Sequence, residues 1–153
     1  MEMNKYLIDT FNYNDYANKL LLNKIKELPN KEECIKFFSH LINSQNKWLA
    51  RVIKGKNAQE MSWSEPIYEL NQLEEKWNDS LQLWTNYIRT KTEIELSIKI
   101  EFIGNSGEVY AASPQDIALQ LNYHSIHHRA QMQTIIRQQG LTPDPLDYIW
   151  TVY

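Results

Sequence analysis

Apolar residues recur at three- and four-residue intervals along four long stretches of this chain, which is the period of an amphipathic helix. The stretches are residues 4–28, 30–54, 69–89 and 113–140. Glycines follow the second and fourth stretches, at Gly55 and Gly140, and typically end helices. The fourth stretch opens with SPQD, which combines a capping serine with proline at the first helical position. We expect Asn30 to cap the second helix, with Glu33 completing a capping box.

Between the third and fourth predicted helices the period changes from about 3.6 to two. In EIELSIKIEF, residues 93–102, isoleucine and leucine alternate with polar residues, which predicts a strand with one buried face. GNSG follows as a turn signal, and EVYAA, residues 108–112, fits a return strand. The pattern therefore predicts an all-α fold, a four-helix bundle with a short β-hairpin between helices 3 and 4. We expect a single domain over residues 1–153.

Composition and charge narrow the function classes. Acidic residues outnumber basic ones by 19 to 16, and no basic stripe is present, which argues against a nucleic-acid partner. No apolar run approaches the ~20 residues that cross a bilayer, and the first residues lack the features of a signal peptide. The single cysteine, Cys34, excludes an intramolecular disulfide and is expected to be buried and inert. We expect a cytoplasmic protein that binds neither nucleic acid nor membrane.

Three of the four histidines lie in HSIHHRAQMQ, residues 124–133. On a helical wheel, His124 and His128 fall inside the core stripe of the fourth helix and His127 falls at its edge. A histidine pair one turn apart can hold a metal ion, although buried histidines can also be satisfied by hydrogen bonds. The remaining histidine, His40, falls outside the main apolar arc of the second helix. It reaches the pair only if the bundle is wide or the second helix packs on more than one side.

The segment LNYHSIHHRAQMQTIIRQQGLTPDPLDYIW resembles the end of the DinB family of four-helix-bundle proteins. The family pattern is a histidine, three residues, then His-Arg-Gly-Gln, a Leu/Ile-rich stretch, a glycine and an Asp-hydrophobic tail. FNYNDYANKLLLNKIKEL and FFSHLINSQNKWLARVIKG are similar to the first two helices of the family. The resemblance therefore covers nearly the whole chain in the right order. Ala130 departs from the family's usual glycine, a change that bears on packing against a partner.

The resemblance implies a divalent metal ion, usually zinc or nickel, held by His40, His124 and His128. It also implies a dimer and thiol-dependent chemistry, such as glutathione- or bacillithiol-type S-transfer or mycothiol-dependent isomerisation. We therefore expect a metal-dependent enzyme, an S-transferase or a hydrolase, that activates a low-molecular-weight thiol or a water. The alternative is a non-catalytic, metal-stabilised dimeric protein that binds a ligand or serves a structural role. The enzyme and the non-catalytic hypotheses differ in whether one coordination position of the metal ion stays open.

No acidic residue is marked by the pattern as a general base, and we expect Asp15 and Asp116 to be solvated or capping residues. Three other residues are candidates for contact with a substrate or with the ligands. His127 is either a proton shuttle or a surface or interface histidine. Arg129 either pairs with an anionic substrate or forms a structural contact. Trp63, which shares a long loop with Tyr68, either lines the mouth of the site or covers the open end of the bundle.

The fourth helix carries a second stripe opposite its core face. Its members are Leu119, Tyr123, Ile126, Ala130 and Thr134. A helix that is apolar on two sides is usually covered on both. We expect a homodimer that uses this face, with the alternative that the hairpin or the N-terminal segment folds over it.

Overall fold

A computed structural model describes residues 2–55 and 57–152. The long helices are α1 (Met3–Ile25), α2 (Glu32–Val52), α3 (Leu73–Arg89) and α5 (Pro114–Gln138). The short elements between α3 and α5 are helix α4 (Glu93–Ser97) and the antiparallel strands β1 (Ile100–Ile103) and β2 (Val109–Ala112). Turns of 3-10 helix lie at Leu70–Gln72 and Tyr148–Thr151. The predicted helical bundle with a short hairpin is therefore confirmed.

The long helices pack in a ring in which α1 contacts α3 and α5, and α2 contacts the same two helices. Consecutive helices α1 and α2 thus occupy opposite corners. As a result α2 is packed on two sides, which is the arrangement that lets His40 face α5 although it lies outside the main apolar arc. Among the described residues, no helix is long and apolar enough to cross a lipid bilayer.

The core is divided into two apolar clusters by a layer of buried polar side chains. The first cluster includes Leu28, Phe38, Trp77 and Ile136, and the second includes Phe11, Trp84, Ile88 and Leu121. Each long helix contributes polar residues between its two apolar segments, among them Asn14, Asn18, Gln45, Ser80 and Ser125. Because these groups are buried, they must pair with one another, and Ser80 Oγ donates to Gln45 Oε1 at 2.8 Å.

The ends of α5 are as predicted. Ser113 is the N-cap, and its Oγ accepts from the Asp116 N–H at 3.2 Å. Gly140 has a φ of 86°, in the left-handed region that a helix C-terminus often needs. The Leu141 N–H donates back to the Ile136 carbonyl at 3.2 Å, which satisfies one of the last carbonyls of the helix.

Both predicted ends of α2 are shifted. The helix begins at Glu32 after Lys31, so the capping box of Asn30 with Glu33 is wrong. The Asn30 side chain instead accepts from the Glu32 N–H at 3.1 Å, a short local bond that forms before the helix starts. At the other end Lys54, not Gly55, takes the left-handed conformation, with a φ of 56°.

The predicted strand over residues 93–102 is wrong in its first half. Thr92 caps α4, with its side chain accepting from the Glu95 N–H at 3.2 Å and Glu95 accepting from the Thr92 N–H at 2.8 Å. β2 offers four residues for pairing, so only residues 100–103 have a partner strand. The preceding residues therefore satisfy their backbone groups in a helical turn, in which Leu96 is buried.

Candidate metal centre

Three imidazole rings converge where α2 packs against α5. His40 comes from α2, and His124 and His128 lie one turn apart on α5. One ligand atom from each ring lies within 4.8 Å of the others. The Nε2 atom of His124 is 3.1 Å from that of His40 and 2.9 Å from that of His128. A tetrahedral zinc ion with Zn–N bonds near 2.0–2.1 Å separates its nitrogens by about 3.3 Å, so this spacing is close to a coordination shell.

The rings stand nearly perpendicular to one another. The angles between ring planes are 76° for His40 with His124, 89° for His40 with His128 and 87° for His124 with His128. Perpendicular rings bring their nitrogen atoms together without stacking their faces. The arrangement therefore brings three donor atoms close together.

Two hydrogen bonds establish which nitrogens carry protons. His40 Nδ1 lies 2.8 Å from the carbonyl oxygen of Trp63, and His128 Nδ1 lies 2.6 Å from Gln131 Oε1. A carbonyl oxygen can only accept, so each Nδ1 donates its hydrogen. In a neutral ring the Nε2 then carries a lone pair. Each of these two Nε2 atoms lies about 3 Å from the Nε2 of His124.

These two lone pairs bear on the choice between the two interpretations of the histidines. His124 Nε2 carries at most one hydrogen, so at most one of the two contacts can be an ordinary hydrogen bond. The alternative in which the histidines satisfy one another therefore leaves two lone pairs facing each other at one of the two contacts, at about 3 Å. A cation between the three nitrogens removes that conflict. The donor set therefore fits a metal ion that accepts imidazole nitrogen, such as zinc or nickel.

The surroundings of the site favour neutral imidazoles. Burial lowers the pKa of His124 to about 4, with smaller contributions from the charges of His128, His40 and His127. Burial also lowers the pKa of His128, although its bond to Gln131 opposes that effect. Both rings therefore keep their lone pairs available near neutral pH.

A cavity of about 230 Å³ opens beside the imidazoles of His40 and His124. Its other walls are formed by Ser44, Trp48, Trp63, Gln120 and Leu121. Ser44 is 2 % exposed, and its Oγ has no hydrogen-bond partner among the residues the structure describes. The cavity thus leaves space next to two of the three imidazoles, those of His40 and His124, and places an unpaired hydroxyl in its wall.

Of the other candidate residues in the loop and on α5, one lines the cavity and the others do not. The ring of Trp63 lines the cavity, and its indole N–H donates to Asn105 Oδ1 at 3.0 Å. Tyr68 does not line it and packs against the first core cluster instead. His127 is exposed, with its ring centroid 5.0 Å from that of His128.

Arg129 points to the α1 side of α5 rather than into the cavity. Its Nη1 donates to Asn18 Oδ1 at 3.0 Å, to Ser125 Oγ at 2.9 Å and to Asn14 Oδ1. Its guanidinium also lies 5.3 Å from the ring centroid of Tyr13. These contacts give Arg129 a role in joining α1 to α5 within the polar layer.

The two acidic residues considered as bases serve other purposes. Asp15 accepts from the Trp77 indole at 3.0 Å and pairs with Lys19. Asp116 accepts from Ser113 Oγ at 2.5 Å at the start of α5. Over residues 2–55 and 57–152, the group of candidate ligands found is the histidine triad, without a carboxylate.

Ser44 and Gln131 were missed by reasoning from the sequence. Ser44 follows His40 by four residues and precedes Trp48 by four, so all three lie on one face of α2. That spacing groups Ser44 with His40, although it does not show that this face of α2 borders a cavity. Gln131 follows His128 by three residues, within reach along the same helix.

Comparisons with known proteins identify relatives of this chain. The family model described as "DinB family" matches residues 1–153. A curated protein named "Protein DinB", from Bacillus subtilis (strain 168), is 21% identical over 163 residues, which cover 95% of this chain and 93% of that protein. No solved structure matches the chain significantly.

Proposed function

This chain belongs to the DinB family, and from that premise we propose that it binds one divalent metal ion, zinc or nickel, through His40, His124 and His128. The observation that carries the proposal is the pair of Nε2 lone pairs that face the third imidazole at 3.1 and 2.9 Å. Family membership supports it independently, since the match covers the whole chain.

We further propose that the bound metal serves catalysis. A divalent ion held by three neutral ligands supplies Lewis acidity, which favours deprotonation of a coordinated water or thiol. The support for an open coordination position is the cavity beside His40 and His124, because a structural site is normally closed by a fourth protein ligand. A low-molecular-weight thiol or a water is the proposed occupant, which corresponds to S-transfer or hydrolysis.

The chain's own residues would orient the ligands and shape the space. The carbonyl of Trp63 and the amide of Gln131 hold His40 and His128 in the tautomers that leave Nε2 available. Trp48 and Trp63 line the cavity and would limit access of bulk water to a group bound there. Ser44 Oγ can donate to, or accept from, a group bound there.

Metal binding is tested by removing the ion with a chelator and measuring zinc and nickel affinity by calorimetry, with elemental analysis of the reloaded protein. Wild type should bind one ion per chain. His124→Ala should lower affinity at least about tenfold, since one ligand is lost. His127→Ala is the matched control, because it removes an exposed histidine from the same helix and should bind like wild type. Equal losses in the two variants, or no binding by wild type, would contradict the proposal.

The open position is tested with cobalt(II) in place of zinc. Addition of a small thiol such as 2-mercaptoethanol should change the visible absorption of the cobalt-loaded protein and add a sulfur-to-metal band. A spectrum that stays unchanged at saturating thiol would indicate a closed site and favour the non-catalytic, metal-stabilised protein.

We also propose that the protein is a homodimer that uses the outer face of α5. Tyr123, Ile126, Ala130 and Thr134 are exposed along this face, whereas Leu119 is half-buried and packs against the second core cluster. The exposed aromatic and branched side chains are the support for an interface here.

A further inference from the structure

Two cationic side chains lie on α2 close to the metal centre without an anionic partner. Lys47 is 5 % exposed and Arg51 is 6 % exposed. Lys47 Nζ donates to the Met61 carbonyl at 2.6 Å, and Arg51 Nη2 donates to the Ile103 carbonyl at 3.2 Å. Within the described parts of the chain, every ion pair involves other residues. Two like charges are thus held near each other with only neutral acceptors.

Aromatic rings surround these cations. The Arg51 guanidinium lies 4.6 Å from the ring centroid of Trp48 and 5.0 Å from those of Trp63 and Phe102. Lys47 Nζ lies 4.8 Å from the ring of Trp63. Ring faces attract cations but carry no net charge, so the two positive charges remain uncompensated.

Burial disfavours the charged form of both cations. Burial lowers the pKa of Arg51, and burial followed by the charge of Arg51 lowers the pKa of Lys47. In addition, the buried Nε of Arg51 has no hydrogen-bond partner among the described residues. Buried charged groups are normally paired, so a missing partner of opposite charge is the simplest explanation for this arrangement.

Space for such a partner exists next to Arg51. A cavity of about 250 Å³ is bordered by Arg51, Lys54 and Phe102, together with Gly55, Ala58, Gln59 and Ile103. Glu101 also borders it, but this residue is exposed and makes no ion pair with Arg51. Trp48 and Trp63, which contact Arg51, line the separate cavity beside the imidazoles. Arg51 and the cavity beside the imidazoles therefore share the side chains of Trp48 and Trp63.

We propose that Lys47 and Arg51 form a binding subsite for an oxyanion, the carboxylate or phosphate group of a small-molecule ligand. Arg51 presents a planar guanidinium that suits either oxyanion, and Lys47 adds a second positive charge one turn away. The subsite itself needs no metal. A separate step, which rests on the proposed function, is that the rest of the same ligand extends into the imidazole cavity.

The test uses metal-free full-length protein labelled with fluorotryptophan and observed by fluorine NMR. Sodium phosphate and sodium acetate are titrated separately at constant ionic strength. The signals of Trp48 and Trp63 should shift saturably with at least one anion, while the core residues Trp77 and Trp84 should not respond. The anion that binds more tightly assigns the chemical class. Absence of a saturable shift with both anions would overturn the proposal.

Variants identify the residues. Arg51→Gln should weaken anion binding at least about tenfold, as expected for loss of a charged hydrogen-bond donor. Lys36→Gln is the matched control, since it removes one charge from an exposed position of the same helix and should bind like wild type. If Arg51→Gln does not fold, Lys47→Gln is measured instead and should also weaken anion binding at least about tenfold. An Arg51 or Lys47 variant that folds and binds like wild type would reject the subsite.

The same titration separates this proposal from the metal site. Saturable anion binding by a protein that fails to bind zinc would support the subsite and reject the proposed function. Zinc binding without anion binding would support the proposed metal site and reject the oxyanion subsite.

Discussion

At the scale of single residues, the hydrogen bond from His128 Nδ1 to Gln131 controls which ring nitrogen faces the other imidazoles. We predict that Gln131→Leu lowers zinc affinity by about 10- to 100-fold, since the orienting acceptor is lost. Gln131→Glu retains an acceptor at the same place and should bind zinc at least as tightly as wild type. Competition with a chelating dye measures both affinities. Equal affinity of the leucine variant and wild type would show that Gln131 does not orient the ring.

Cys34 is fully buried on α2, and burial raises the pKa of its thiol to about 11, with a further contribution from Glu33. The thiolate is the reactive form, so we predict negligible reaction of the native protein with a disulfide reagent at pH 8. Unfolding in denaturant should give one reactive thiol per chain, which serves as the control. Rapid stoichiometric labelling of the native protein would contradict this prediction.

The raised pKa of the Cys34 thiol also makes the stability of the fold depend on pH at high pH. A pKa that is higher in the folded state than its ordinary value of 9.0 favours folding while the thiol is protonated. This contribution is complete below pH 9 and is lost as the pH rises toward 11. The free energy of unfolding should therefore fall over that interval, and a Cys34→Ala variant should show a smaller fall.

The histidine residues show what the sequence could and could not predict. His124 and His128 were accessible because a single helix brings them together, and that needs only the helical period. His40 depended on the family resemblance, since its orientation requires α2 to pack against both α3 and α5. Ser44 acquires its place in the cavity wall from the same tertiary contact, so periodicity alone did not reveal it.

At the scale of elements, the segment before the hairpin contains two competing signals. Alternation of apolar residues favours a strand, whereas Thr92 and Glu95 form a capping box that favours a helix. The helix forms over residues 93–97 because β2 is too short to pair with a longer strand. The number of residues that pair depends on the length of the partner strand, so it cannot be predicted from the pattern of one segment alone.

We predict that Thr92→Ala lowers the free energy of unfolding by about 1 kcal/mol, the usual effect of removing a capping hydroxyl. Thr92→Ser keeps the hydroxyl and should lose little. Urea denaturation followed by circular dichroism gives both values. If these residues formed a strand in solution, the hydroxyl would have no helix to cap and the alanine variant would match wild type.

At the scale of the whole molecule, the polar layer and the metal centre occupy the same level of the bundle. Asn14 and Asn18 on α1 meet Arg129 on one side of α5, while His40 on α2 meets His124 on the other. The fold could be predicted from four periodic segments, but this layer could not, because polar residues inside an apolar stripe gain partners only when helices distant in sequence pack together. The layer fixes α5 against α1 and so helps to position two of the three imidazoles.

The proposed dimer also belongs to the whole molecule, and we predict that wild type sediments at twice the mass of one chain at micromolar concentration. Ile126 is 47 % exposed at the middle of the proposed interface. Ile126→Glu would bury an unpaired charge there and should weaken association at least about a hundredfold, enough to yield monomers. Ile98→Glu is the matched control, because it makes the same substitution at an exposed isoleucine outside α5 and should leave the dimer intact. Monomeric wild type, or equal dissociation by both variants, would exclude this face as the interface.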